Sequence, residues 1–293
     1  MGCLVQVHVW AGNGCPPPGY SKQQLLQLKE TGFKLDDSAE RNALAVALAG
    51  CVGDPDPVIR DGVVFEGLAT WMRGEQLSTE TIMTLYAELL TQISSDTDPN
   101  GFEQPFAALI LSEIARTDRV DAWFTPATRA QLVNVAANYL RGVRDYRGFS
   151  DTEGWRHGVA HGSDLVLQLV LNPNIDTTHI QPLMAAVASQ VAPAGEVSYI
   201  YGEPGRLARA VVYAYRRGVL EDAFWVSWFE SITDPQPLDN WSDSYSSRVG
   251  LARRHNTLAF LMSMHLNATA YEDEQGEALA EIVMQAITMV MRG

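Results

Sequence analysis

The stretch Gly154-Trp155-Arg156-His157-Gly158-Val159-Ala160-His161-Gly162-Ser163-Asp164 holds the densest group of chemically active side chains in the sequence. Wound as a helix at about 100° per residue, it aligns Glu153, His157, His161, Asp164 and Gln168 on one narrow stripe. Trp155, Val159, Val166 and Val170 then occupy the opposite, core-facing side. Two histidines four residues apart on one helical face direct imidazole nitrogens at a common point, which is the spacing used by helical zinc sites. Gly158 and Gly162 thin the flank beside them, so that an ion, a substrate or another helix can come close. Asp164 lies roughly 10 Å of helical rise beyond His157, at about 1.5 Å per residue. It is therefore expected either to hold His161 in its tautomer from behind or to bind the ion in place of His157, with a further ligand from another segment. The ordinary alternative is a solvated polar stripe on an amphipathic helix.

Other groups are candidates to complete such a site. Arg60 and Asp61 fall in the first turn of their helix, with Glu66 one turn on. Capping and intrahelical charge pairing explain them, and the functional alternative makes Asp61 the missing carboxylate ligand or a general base. Glu203 and Arg206, three apart in another first turn, read as a surface ion pair. If they face the histidines, Arg206 stabilises an anionic transition state and Glu203 binds metal or water. Asp145 and Arg147 are placed to brace the start of the histidine helix. His255 and His265, ten residues apart, are too distant to share an ion, and Trp225, Trp228 and Phe229 have core spacing.

The run Arg144-Asp145-Tyr146-Arg147-Gly148-Phe149, followed by Gly-Trp-x-His-x-x-x-His-x-x-Asp over 154–164, resembles the signature of a bacterial family of all-helical proteins known as a domain of unknown function. Further likenesses are Arg60-Asp61-Gly62, Glu203 with Arg206-Leu207, and Asn256 ahead of Phe260-Leu261. The resemblance runs from about residue 22 and implies an all-helical fold without a settled activity. Arg156 stands where relatives are expected to carry a small residue, which bears on the charge at the site.

The elements that must position these groups are helices. From residue 21 on, capping residues, apolar stripes of period near 3.6 and Gly or Pro stops follow one another. Helices are predicted from Ser21 to Gly32, from Asp37 to Cys51, from Asp56-Pro57 to Gly74, and from Ser78 to Ile93. Others follow over 102–116, from Thr125-Pro126 to Arg144, and over 150–171, 178–191, 203–217, 220–232, 242–267 and 275–291. Strand signals are almost absent. Antiparallel hairpins of such helices predict an all-α fold, an irregular α-solenoid or toroid similar to HEAT or armadillo arrays, in one domain over 21–293. Residues 1–20 read as a poorly ordered leader, and the turn at 234–237 with Trp241 and Tyr245 as an edge loop or lid.

A net charge of −14, from 35 acidic and 21 basic side chains, argues against a nucleic-acid partner or an anionic membrane surface. No stretch reaches the roughly 20 apolar residues of a membrane span. Cys3, Cys15 and Cys51 are odd in number and lack zinc-type spacing, which points to a reducing, cytoplasmic setting rather than a disulfide framework. No P-loop, dinucleotide fingerprint or nucleophile elbow is present.

These features lead to a divalent-metal hydrolase, zinc being favoured by imidazole ligands, acting on a small ester or phosphoester. In that expectation His157, His161 and Asp164 are the metal-site residues, and Arg206, Glu203 and Asp61 support catalysis. The competing expectation is a non-enzymatic helical scaffold that binds a protein or peptide. An open cleft shared with Asp61 or Glu203 favours the enzyme, and a closed, hydrogen-bonded interior favours the scaffold.

Overall fold

The computed structural model describes residues 14–293. Over that span the chain is all-α, and most of its helices begin where side-chain oxygens can satisfy the orphan amides of a first turn. Ser21 caps α1 (Lys22–Glu30) and Asp37 caps α2 (Ser38–Leu48). Asp56 caps α3 (Pro57–Ile59), which continues through a π-helical turn, Arg60–Phe65, into α4 (Glu66–Arg73). Ser78 caps α5 (Thr79–Ile93), α6 spans Glu103–Val120, and Thr125 caps α7 (Pro126–Gly142). Then come α8 (Gly158–Val170), α9 (Thr177–Val191), α10 (Glu203–Arg216), α11 (Asp222–Thr233), α12 (Arg248–Thr269) and α13 (Glu274–Arg292).

The helices alternate between two rows. α6, α8, α10 and α12 pack in succession in one row, α7, α9, α11 and α13 form the second, and neighbours such as α7 with α8 and α12 with α13 join the rows. The apolar stripes all drain into one core, from Leu25 and Leu44 through Leu111, Val166 and Val211 to Val290. Trp225, Trp228 and Phe229 are buried in it as their spacing predicts.

Two predicted helices are corrected at their starts: over 242–267, Trp241–Ser246 form a 3-10 turn and extended Ser247 caps α12, which begins at Arg248, and the helix over 150–171 also starts late. Residues 150–157 are not helical: Phe149–Ser150 (β1) pairs antiparallel with Gly154–Trp155 (β2). The Arg156 and His157 amides extend that pairing by donating to the carbonyls of Gly148 and Arg147. Gly154 takes a φ of 72° in the hairpin, and His157 a φ of 60°, so α8 begins only at Gly158. The apolar periodicity of α8 is real, but main-chain pairing across the hairpin outcompetes its extension toward the N-terminus. The predicted stripe therefore loses Glu153 and the strict helical relation of the two histidines.

The cysteine expectation is also corrected. Cys15 and Cys51, 36 residues apart in sequence, form a disulfide with Cα atoms 5.3 Å apart. An odd total misleads because pairing depends on proximity in the fold, and the argument for a reducing setting drawn from these two residues falls. Cys3 and the rest of 1–13 lie outside the described residues. Within the predicted leader, residues 14–20 are tied down by this bridge and by the Tyr20 hydroxyl, which donates to Glu40. Trp241 is core, its indole donating to the Thr233 carbonyl, while Tyr245 is exposed. Among the described residues no helix is long and apolar enough to cross a membrane.

Candidate functional site

A cavity of about 510 Å³ opens between the π turn, α4, α6, the β1–β2 hairpin, α8 and α10. His157, His161, Asp164, Asp61 and Arg206 all line it. Five of the six residues singled out from sequence thus share one wall system, despite coming from three separate segments. Glu203 sits behind that wall, 3% exposed, with its carboxylate accepting the Tyr201 amide at 2.9 Å.

The histidines form the centre. His157 and His161 are 8% and 7% exposed, and their rings meet edge to face with centroids 5.6 Å apart. His157 Nε2 lies 3.0 Å from the Tyr201 carbonyl, and His161 Nδ1 lies 3.2 Å from the Pro105 carbonyl. A carbonyl only accepts, so each of these nitrogens carries the proton and donates. In the neutral rings His157 Nδ1 and His161 Nε2 are left as lone-pair acceptors. Burial keeps both rings neutral: the imidazole of His157 is pushed down to about 4, helped by the charge of Arg206. That of His161 is pushed down to about 3 by burial and by His157 beside it. Trp155 stacks on His157 at 4.6 Å and Phe106 meets His161 edge-on at 5.1 Å, so the pair is clamped by aromatic faces.

The acidic groups are already matched to arginines. Asp164 pairs with Arg206, and the Pro105 carbonyl, not Asp164, holds the His161 tautomer, the role expected of that aspartate. Arg206 therefore does not pair with Glu203, whose carboxylate turns inward to Tyr201. Burial raises the carboxyls of Asp164 and Asp61, against the pull of Arg206 and Arg60 respectively, and raises Glu203 as well. Glu113 takes a two-pronged contact from Arg73. Asp61 Oδ1 is 2.8 Å from Arg60 Nε, a distance of an ion pair, yet the two atoms are not aligned as a hydrogen bond.

Arg60 explains why the π turn matters. Fully buried, it donates to the Asp54 carbonyl at 2.9 Å and to the Glu153 carbonyl at 2.8 Å, and its guanidinium carbon lies 4.0 Å from the centre of the Phe102 ring. One side chain thereby fastens the hairpin that carries Trp155 to the turn that carries Asp61. Arg156 points away from the cavity: it packs 4.1 Å from the same Phe102 ring and donates to the Asn100 carbonyl. Its charge is spent in the frame of the hairpin, so it does not set the charge of the cavity. Asn256, fully buried, accepts the Tyr199 amide and donates to the Val197 carbonyl, fixing the loop that delivers Tyr201.

Sequence reasoning missed Arg73, Phe106, Glu113, Tyr201 and Arg209 as cavity residues, and assigned Trp155 to the core side. Arg209 alone had a signal, its i+3 relation to Arg206 on α10. The others arrive through tertiary contacts between segments far apart in the chain.

The cavity offers part of a metal donor set. Two neutral imidazoles, each with its distal N–H held by a carbonyl, have the arrangement of ligating histidines. Asp164 and Asp61 are engaged by arginines, and among the described residues no three His, Cys, Asp or Glu side chains converge to hold an ion. The protein groups present supply half of a tetrahedral set.

The family model described as protein of unknown function, DUF2785, matches residues 89–266, more than half of the chain, and the chain belongs to that family. The matched span contains both histidines, Asp164, Glu203, Arg206 and Asn256, while Arg60 and Asp61 precede it. Comparison with curated proteins and comparison with solved structures each return no match.

Proposed function

We propose that this member of the DUF2785 family is a hydrolase acting on a small ester or phosphoester in the cavity walled by His157, His161, Asp164 and Arg206. The observation that carries the reading is the imidazole pair: two buried neutral rings, each pinned through one N–H, share an open cavity with a guanidinium. A ring so pinned has one acceptor nitrogen of fixed position, able to orient a water for attack, and Arg206 is placed to stabilise negative charge as it develops. An imidazole depressed to about 4 is a weak base at neutral pH. A bound anion facing Arg206 would offset that guanidinium, the second cause of the depression after burial, and strengthen His157 as a base when substrate is present.

A cavity shared with Asp61 supports an enzyme over a scaffold that buries its histidines for packing alone. The alternating two-row packing supports a curved array of helical hairpins, a solenoid or toroid, as the frame. Zinc on His157 and His161 is the second reading, favoured by the carbonyl held at each distal nitrogen. Elemental analysis of untagged protein beside a His157→Ala, His161→Ala double variant decides it. Near-stoichiometric zinc lost in the variant supports the metal form, and no metal in either after incubation with zinc removes it. For the hydrolase itself, a panel of p-nitrophenyl esters and phosphoesters is turned over by wild type and by a His157→Asn, His161→Asn variant of equal helicity. Turnover falling by about 10²-fold or more in the variant supports the proposal, on the usual scale of general-base catalysis. Equal rates in the two proteins refute it.

A further inference from the structure

We infer that the ligand of this cavity is an oxyanion, a carboxylate or a phosphate, borne on a flat apolar body, and that Arg209 is the residue that selects its charge. The inference rests on the cavity being a small-molecule site and adds the class of molecule.

The charge balance of the lining carries the first half. Asp61, Glu113 and Asp164 are each matched to an arginine, Arg60, Arg73 and Arg206. Arg209 also lines the cavity, one turn along α10 from Arg206, and no carboxylate stands at ion-pair distance from it among the described residues. Arg60 lies behind the lining, so with both imidazoles neutral the lining itself balances three guanidiniums, Arg73, Arg206 and Arg209, against three carboxylates, and the buried Arg60 at Asp61 leaves Arg209 as the one outside an ion pair. This balance is local: the chain as a whole carries −14. Exposure follows the same order. The side chains of Glu113 and Asp164 are 7% and 15% exposed, while those of their partners Arg73 and Arg206 are 55% and 45% exposed. At these two pairs the carboxylate lies deep and the guanidinium at the mouth, whereas at the third the order is reversed, Arg60 being fully buried and Asp61 29% exposed, so the donors an entering anion meets are on the Arg73, Arg206 and Arg209 side. Two guanidiniums one turn apart present forked N–H groups that match the oxygens of a carboxylate or phosphate.

The walls carry the second half. Phe65, Phe106, Trp155 and Tyr201 line the cavity with the two imidazoles, and Trp155 lies nearly parallel to the His157 ring, with 24° between their planes. A space of about 510 Å³ is in the range that encloses a small organic molecule rather than an inorganic ion alone. Aromatic faces around an arginine-lined mouth favour a planar body with the charge at one end.

The test uses phenyl phosphate, benzoate, inorganic phosphate and the uncharged benzyl alcohol, titrated calorimetrically into wild type, Arg209→Gln, and the His157→Asn, His161→Asn double variant. Arg209 is exposed, so its substitution leaves the core intact. Binding of phenyl phosphate or benzoate at least tenfold tighter than benzyl alcohol, and weakened at least tenfold by R209Q, is the expected result. Which of the two aromatic anions binds tighter identifies the phosphate or carboxylate source, and inorganic phosphate binding weaker than phenyl phosphate shows the contribution of the apolar body. Benzyl alcohol binding as tightly as the anions, or an unchanged affinity in R209Q, overturns the inference while leaving the hydrolase reading intact. Anion binding preserved in the histidine double variant, with turnover by wild type no faster than by that variant, supports the ligand class and refutes the hydrolase instead. No heat with any probe overturns the inference.

Discussion

Lowering the pH from 7 to 5 should cost the folded state roughly 2 kcal/mol for each of His157 and His161. In the unfolded chain both imidazoles titrate near 6.5, so at pH 5 they are almost fully protonated. In the fold burial holds them down to about 4 and about 3, so at pH 5 both remain largely neutral. The unfolded state therefore binds more protons throughout this window, and stability falls as pH falls. The loss begins near 6.5, grows by about 1.4 kcal/mol per pH unit per histidine, and levels off only as the folded rings begin to protonate. At pH 5 its size is set almost wholly by the unfolded pKa, because both folded values lie below that pH, which makes the magnitude insensitive to how the pair shares its coupling. Asp61, Asp164 and Glu203, raised by burial, act with the opposite sign and favour the fold as pH falls, so the histidine contribution must be read as a difference.

The reference proteins are His157→Asn and His161→Asn, singly and together. Asparagine tolerates the left-handed backbone of residue 157, and at 161 its amide can still donate toward the Pro105 carbonyl. Urea unfolding followed by far-ultraviolet circular dichroism, with a chelator present, is measured at pH 7, 6 and 5. Each variant has its own stability at pH 7, and the informative quantity is how its gap from wild type changes with pH. The gap should move by about 2 kcal/mol per replaced histidine in favour of the variants between pH 7 and 5, and by about 4 kcal/mol for the pair. A gap constant to within about 0.5 kcal/mol across that range would refute the buried neutral pair, and with it the tautomers assigned from the carbonyl contacts.

Three further outcomes follow from packing and covalent structure. A Cβ on Gly148 would lie 2.0 Å from the Tyr201 ring, so Gly148→Ala should lower stability by about 1–3 kcal/mol in urea unfolding and perturb the aromatic circular dichroism of the cavity wall. Asp118 accepts from the amides of Trp123 and Phe124, from Arg129 and from Asn172. Asp118→Ala strands the buried Arg129 and should cost about 3–5 kcal/mol, and a loss below about 1 kcal/mol would show that the network relaxes. Replacing Cys51 by serine should cost about 2–4 kcal/mol through the freed loop. Thiol alkylation before and after reduction checks the bridge, and Cys15 and Cys51 both reacting before reduction would refute it.

Most of the helices were legible because each needs only local signals: Ser21, Asp37, Ser78 and Thr125 cap where oxygen side chains precede apolar stripes, and Pro57 and Pro126 fill first-turn positions. The start of α8 was not, because the amides that displace it donate to the carbonyls of Arg147 and Gly148 through a hairpin only two residues wide per strand. No periodicity reports a strand that short. The site was legible as residue types but not as pairings. Asp164, Glu203 and Arg206 all belong to it, yet the partner of Arg206 proved to be the aspartate 42 positions earlier rather than the glutamate one turn away. Local spacing proposes the nearest opposite charge, whereas packing of α8 against α10 decides which charge is met.

The scattered motifs acquire a common physical role in this geometry. Arg60 fastens the hairpin to the π turn, Glu203 holds the Tyr201 amide, and Asn256 holds the loop ahead of it. Tyr201 in turn offers the carbonyl that sets the His157 tautomer. Buried polar groups are costly if left unmatched; Glu203, Asn256 and the two terminal nitrogens of Arg60 are matched by backbone, so the chain from Asn256 through Tyr201 to His157 leaves one imidazole nitrogen with a fixed direction. A fold that needed only to pack its histidines could have surrounded them with apolar side chains and no cavity. Placing Arg60, Glu203 and Asn256 on main-chain positions around an opening lined by Arg209, which is in no ion pair among the described residues, is the arrangement expected where the position of one acceptor atom matters for a bound molecule.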